Sequence, residues 1–131
     1  MTSLIKVSAF ALIFVTLAGC RSTSPIEDVN HQIMPEQAKA MSEAQIGEKI
    51  IRTLSTRGFY CNKTAANKLT CSMDARKHQA TIAIIYSPYE FSIHHISSTN
   101  LKEKNGKIHP KYNKWVNTIK KDILKAIAAG K

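Results

Sequence analysis

The sequence predicts an α+β fold: a four-stranded antiparallel meander with an N-terminal and a C-terminal helix packed on one face, in the order α-β-β-β-β-α. Three observations predict it. Apolar residues recur at helical spacing behind Ser42 and again behind Pro110. Between these stretches, from Phe59 to His95, apolar and polar residues alternate with period two. The breaks between the alternating runs are short, which suits antiparallel neighbours and leaves no room for crossovers.

The first helix is predicted over about 43–57. Ser42-Glu-Ala-Gln45 matches a capping box, in which Ser42 caps a backbone N–H and the Gln45 side chain reaches back. Ile46, Ile50, Ile51 and Leu54 then mark the buried side, and Gly58 supplies a stop. Gly47 lies near that buried side, where a missing Cβ lets the helix approach a sheet closely.

The strands follow. Phe59 and Cys61 alternate with Tyr60 and Asn62, and a polar turn comes near Ala65-Ala66-Asn67. Leu69, Cys71 and Met73 alternate with Thr70, Ser72 and Asp74, and Arg76-Lys77-His78 reads as a second turn. Ala80, Ile82, Ile84 and Tyr86 form one face of a third strand, broken by Ser87-Pro88. Phe91, Ile93 and His95 line the fourth. Residues 97–109 are polar and carry Asn105-Gly106, which predicts a long loop. Pro110 suits the first position of the last helix. Tyr112, Trp115, Val116, Ile119, Ile123, Ala126 and Ile127 fall on one arc of it, and Gly130 closes it.

The chain has 131 residues, 44% apolar and 21% charged, which argues for one domain and against a rod or wholesale disorder. Only Val7 to Gly19 is apolar over any length, too short for a membrane span of about 20 residues. Lys6 precedes this run, and Leu17-Ala18-Gly19-Cys20 ends it. The four residues resemble the lipobox of bacterial lipoproteins. That resemblance implies cleavage before Cys20, a thioether-linked diacylglycerol on its sulfur, and an acyl chain such as palmitate on its new amino group. The expected organisation is a signal peptide over 1–19, a lipidated cysteine and flexible tether over 20–41, and an α+β domain over 42–131. Ser22, Thr23, Ser24, Pro25 and Pro35 give the tether its composition. Arg21, rather than Asp, follows the cysteine. In the lipoprotein class this implies the outer membrane, facing the periplasm, as the destination within the cell envelope.

Residues 42–124 resemble an uncharacterised family of small bacterial lipoproteins. The matching pieces are Arg57-Gly58-Phe59, Ile84-Ile85-Tyr86, Phe91-Ser92-Ile93, Ser97-Ser98-Thr99-Asn100-Leu101 and, above all, Ile108-His109-Pro110-Lys111-Tyr112-Asn113-Lys114-Trp115-Val116. This chain carries Phe59 where members often have Trp, and His95 where they have an aromatic residue. The resemblance implies an α+β domain on a lipid anchor and brings no activity or catalytic residue.

Cysteine chemistry is the first candidate. Cys20 is assigned to lipid, and Cys61 and Cys71 remain, symmetric about the turn at Ala66 and on one side by parity. Export exposes them to oxidising conditions, so a disulfide is expected. It would close an 11-residue loop, worth about 2.8 kcal/mol in the chain-entropy model. Histidines are the second. His94 and His95 are adjacent on a strand and point to opposite faces, and His31 falls in the tether, so no metal site or other cofactor is expected. Catalysis is the third, and no hydrolase, zinc-protease or phosphate-loop motif occurs.

Two surfaces remain. The outer sheet face should carry Tyr60, Thr70, Ser72, Thr81, Ala83, Ile85, Ser92, His94 and Ile96, with Ala83, Ile85 and Ile96 as a small apolar partner patch. On the last helix, Lys114, Lys121 and Lys125 fall within roughly 40° of one another, opposite the apolar arc. This ridge is a candidate contact for anionic lipid headgroups, lipopolysaccharide phosphates or acidic cell-wall polymer. The formal charge is +10, from 19 basic and 9 acidic side chains. Export still removes the protein from nucleic acid, so nucleic acid is not an expected partner.

The expectation is a non-enzymatic, lipid-anchored envelope protein serving as a binding or accessory module. Its expected partners are the membrane, through acyl chains on Cys20, and an envelope protein or anionic envelope polymer. Two rivals stay open: a periplasmic enzyme acting on cell-wall material, and a metal-binding envelope protein. A cleft joining a His to a carboxylate would favour the first, and convergence of His78 and His95 with an acid the second.

Overall fold

The structure, a computed structural model, describes residues 23–130. The stretch expected to be a signal peptide, residues 1–19, and Cys20 lie outside the described residues. The fold is α+β, with two helices, a five-stranded antiparallel sheet and a small two-stranded sheet. In chain order the elements are β1 (Ser24–Pro25), β2 (Val29–Ile33), a 3-10 turn (Glu36–Ala40), α1 (Glu43–Ser55), β3 (Phe59–Ala65), β4 (Lys68–Ala75), β5 (His78–Tyr86), β6 (Glu90–Thr99), β7 (Lys107–Ile108) and α2 (Pro110–Ala128). The large sheet runs β2-β6-β5-β4-β3, and β1 pairs with β7.

The predicted meander is β3 to β6. Beyond it, two expectations need correction. The stretch expected to be a tether is built into the fold from Ser24 onward. β2 adds a fifth strand along β6, while Met34 and Ala38 enter the core. The sequence signal for β2 is weak because a bulge breaks its alternation: Val29 pairs with Ile93 but Gln32 with Phe91. His31, at the bulge, has φ 54° and donates its backbone N–H to Ser92 Oγ at 2.9 Å. The 97–109 stretch is likewise not one long loop. β6 continues to Thr99, and β7 returns to pair with β1.

α1 starts as expected. Ser42 accepts from the Gln45 backbone N–H at 3.1 Å, and Gln45 Oε1 accepts from the Ser42 N–H at 2.8 Å. Gly58, at φ 88°, turns the chain into β3. Ile46, Ile50 and Leu54 of α1 and Tyr112, Val116, Ile119, Ile123 and Ile127 of α2 share one core with the inward row of the sheet. Gly47 faces Tyr86: a Cβ built there would sit 2.5 Å from the phenol oxygen. Arg57 Nε donates to Asp122 Oδ2 at 2.7 Å, tying the end of α1 to α2.

β6 carries a second bulge. Ser97 pairs with Thr81, but His95 pairs with Ile82, so Ile96 is the extra residue. The bulge resets the parity of the strand, and His95 Nε2 reaches Ser98 Oγ at 3.1 Å although strict alternation would separate them.

Candidate functional site

Cys61 and Cys71 stand directly opposite in the β3–β4 ladder, with Cα atoms 4.0 Å apart and sulfurs at disulfide distance. Cys71 is in the core, while Cys61 sits half-buried at the edge strand. The pair staples a hairpin and offers no exposed thiol.

The histidines are dispersed and each serves its own neighbourhood. His31 Nδ1 lies 2.6 Å from Glu90 Oε2, across β2 and β6. His94 Nε2 meets Asn30 Oδ1 at 3.2 Å. The His95 ring stands edge-on to Tyr112, with centroids 5.1 Å apart. His78 Nδ1 reaches the Asn100 carbonyl at 2.8 Å, and its ring lies 6.4 Å from that of His109. Among the described residues, no three His, Cys, Asp or Glu side chains gather in a metal-holding group.

The apolar partner patch is smaller than expected. Ala83 is only 6% exposed, between neighbouring strands, and cannot contribute contact area. Ile85 and Ile96 are exposed, but they flank the row of Ala83 and His94 and do not adjoin. Of the aromatic pair on α2, Tyr112 is buried and Trp115 packs partly against the core. Burial, with a smaller contribution from Asp28, pushes the Tyr112 phenol well above its usual range.

Lys114, Lys121 and Lys125 are all exposed on α2, as the helical spacing requires. Lys125 also borders a shallow groove of about 660 Å³ between the helices, lined by Arg52, Thr53, Arg57, Asp122 and Ala126 among others.

A second basic region was not anticipated. The 100–108 segment folds tightly, with Asn100, Lys102 and Asn105 in the left-handed region and Gly106 at φ 77°. Lys104 and Lys107 exchange backbone hydrogen bonds at 2.9 and 3.0 Å. Lys102, Lys104, Asn105 and Lys107 line an open cleft of about 350 Å³ together with Thr23, the first described residue. The β4–β5 turn adjoins it, since Asn100 Nδ2 donates to the Lys77 carbonyl at 2.7 Å. Arg76 and Lys77 thereby join the same end of the molecule. The positive field is felt at His109, whose pKa is lowered by burial first and then by Lys102, Lys111, His78 and Lys114. The signal in the sequence was the lysine spacing itself, within a stretch read only as polar.

Asn113 holds the first described strand. Its Nδ2 donates to Ser24 Oγ at 3.3 Å and to the Pro25 carbonyl at 2.9 Å. Its Oδ1 accepts from the Glu27 backbone N–H at 3.0 Å. The first turn of α2 therefore grips the point where the chain enters the fold. His109 ties the 97–109 segment in, through its N–H to the Leu101 carbonyl at 2.7 Å.

No described helix is long and apolar enough to cross a membrane. Comparison with known proteins finds no matching family model, curated protein or solved structure.

Proposed function

We propose that this chain is a lipid-anchored cell-envelope protein whose α+β domain is a non-enzymatic binding or accessory module. The observation that carries the reading is Leu17-Ala18-Gly19-Cys20 placed directly behind an apolar run with one positive charge before it. The Cys61–Cys71 juxtaposition supports it, because such pairs persist in oxidising compartments. The anchor is the set of acyl chains on Cys20, and several chains bind far more firmly than one reversible chain. Arg21 favours the outer membrane, facing the periplasm, over the inner one. The exposed lysines favour anionic partners at that surface.

Metabolic labelling with a clickable fatty acid tests the reading. Wild-type protein takes up label, and Cys20→Ala remains an unlabelled precursor. Equal labelling of the two removes the anchor from Cys20.

A further inference from the structure

The point where the chain enters the fold sets how an anchored domain must sit. Only Arg21 and Ser22 lie between Cys20 and Thr23. At 3.3–3.6 Å per residue, the three steps from Cys20 to Thr23 span about 11 Å at most. Ser24 is then fixed by pairing with Ile108 and by Asn113. Acyl chains on Cys20 therefore hold the entry end of the domain within about 11 Å of the headgroups, a distance comparable to the Debye length of about 8 Å.

That end is the lysine-rich one. Arg76, Lys77, Lys102, Lys104, Lys107 and Lys111 are all exposed there, against Glu27, Asp74 and Glu103 as nearby carboxylates. α2 leads away from it. Lys121 and Lys125 stand roughly 16 and 22 Å along the helix axis from Pro110. We infer that the pole formed by the 100–108 segment docks on anionic phospholipid headgroups of the leaflet that holds the Cys20 acyl chains, fixing the orientation of the domain. The inference rests on the lipid-anchored reading and names its surface.

Charge and geometry act together here. An ammonium near an anionic membrane gains its attraction only within the screening distance. The short entry segment brings Lys102, Lys104 and Lys107, which share a cleft with Thr23, to that length scale. The acyl chains then supply the attachment, and the basic cluster sets the orientation.

The test uses the mature acylated protein in vesicles containing phosphatidylglycerol, with a quencher on the lipid headgroup. One fluorophore is placed at Thr99→Cys, beside the pole, or at Ala128→Cys, at the far end of α2. Quenching at 99 should exceed that at 128 several-fold. The variant Lys102→Gln/Lys104→Gln/Lys107→Gln, or high salt, should abolish the difference, and Lys121→Gln/Lys125→Gln should preserve it. Equal quenching at the two positions, or a difference that survives the triple variant, overturns the proposal. The mass of the mature protein checks acylation separately, and its absence sinks the anchored reading. The charge cluster still answers to co-sedimentation, with the same vesicles, of the Cys20→Ser chain produced without residues 1–19. There the triple variant should bind about 100-fold more weakly at low salt, and unchanged binding removes the cluster as a membrane contact.

Discussion

Single residues decide how closely the layers of this molecule meet. Gly47 was legible in the sequence as a position on the buried side of a helix, but its partner was not, because Tyr86 arrives from a strand almost forty residues on. A Cβ at Gly47 would meet Tyr86 Oη at 2.5 Å and Cζ at 3.0 Å. Two effects compete in Gly47→Ala. Alanine favours the helix by up to about 1 kcal/mol, and overpacking against a buried ring costs about 1–3 kcal/mol. The ring belongs to the core and cannot swing away, so the steric cost wins and the variant should melt lower than wild type. Adding Tyr86→Phe removes the nearest atom and should recover part of the loss beyond its own effect, read as a double-mutant cycle. An unchanged or raised melting temperature in Gly47→Ala would show that α1 shifts without cost. At the same scale Ala83 departs from its expected exposure. Parity placed Ala83 on the outer face, but a small side chain in an interior strand is covered by its neighbours.

Elements were legible where their signals are local. The capping box and the alternation of β3 to β5 are written in adjacent residues, and the structure follows them. The bulges were not legible, since one extra residue in β2 or β6 is defined only against the strand opposite. Two elements yield predictions. The β3–β4 hairpin is closed by Cys61 and Cys71, so Cys61→Ser with Cys71→Ala should lower stability by about 2–3 kcal/mol in urea denaturation. Reduced wild type should fall by a similar amount, and a midpoint equal to that of the oxidised protein would show the bond to be absent or idle. The start of α2 depends on pH. His109 Nδ1 accepts from the Lys111 backbone N–H at 3.0 Å, which requires that nitrogen unprotonated. Burial and the surrounding lysines lower the His109 pKa in the fold. Between the folded and the ordinary value near 6.5, the unfolded chain binds more protons than the folded one. The cap's contribution is thus complete above about pH 6.5 and is lost as pH falls through the folded value. His109→Asn keeps a capping oxygen without titrating, so it should lose less melting temperature than wild type between pH 7.5 and 5. Parallel curves would remove His109 as the source of the acid sensitivity.

At the scale of the whole molecule, the boundary of the folded body separates sequence from structure most clearly. Composition read 20–41 as a tether, because Ser, Thr and Pro dominate its start and no period is sustained. What orders it is supplied from elsewhere: the free edge of β6, the β7 strand and the Asn113 amide. None of these can be seen from residues 23–41 alone. The consequence is measurable by comparing chains that begin at Thr23 and at Ser42. The shorter chain loses the burial of Met34 and Ala38 and the partial cover of Ile26 and Val29. With about 1.5–3 kcal/mol for each large side chain buried in full, and less for partial cover, the loss is on the order of 5 kcal/mol. Domains of this size are stable by only about 5–15 kcal/mol. The shorter chain also uncovers β6 along the stretch paired with β2, where Phe91 and Ile93 stand beside a newly unpaired edge. It should therefore unfold at much lower urea than the longer chain, or self-associate at concentrations where the longer chain stays monomeric. Urea denaturation and light scattering on the two chains decide the matter. Equal midpoints with no association would mean that 23–41 rests on the domain without supporting it. Such an outcome would also free the entry point at Ser24 and loosen the orientation that β1 and Asn113 impose on an anchored molecule.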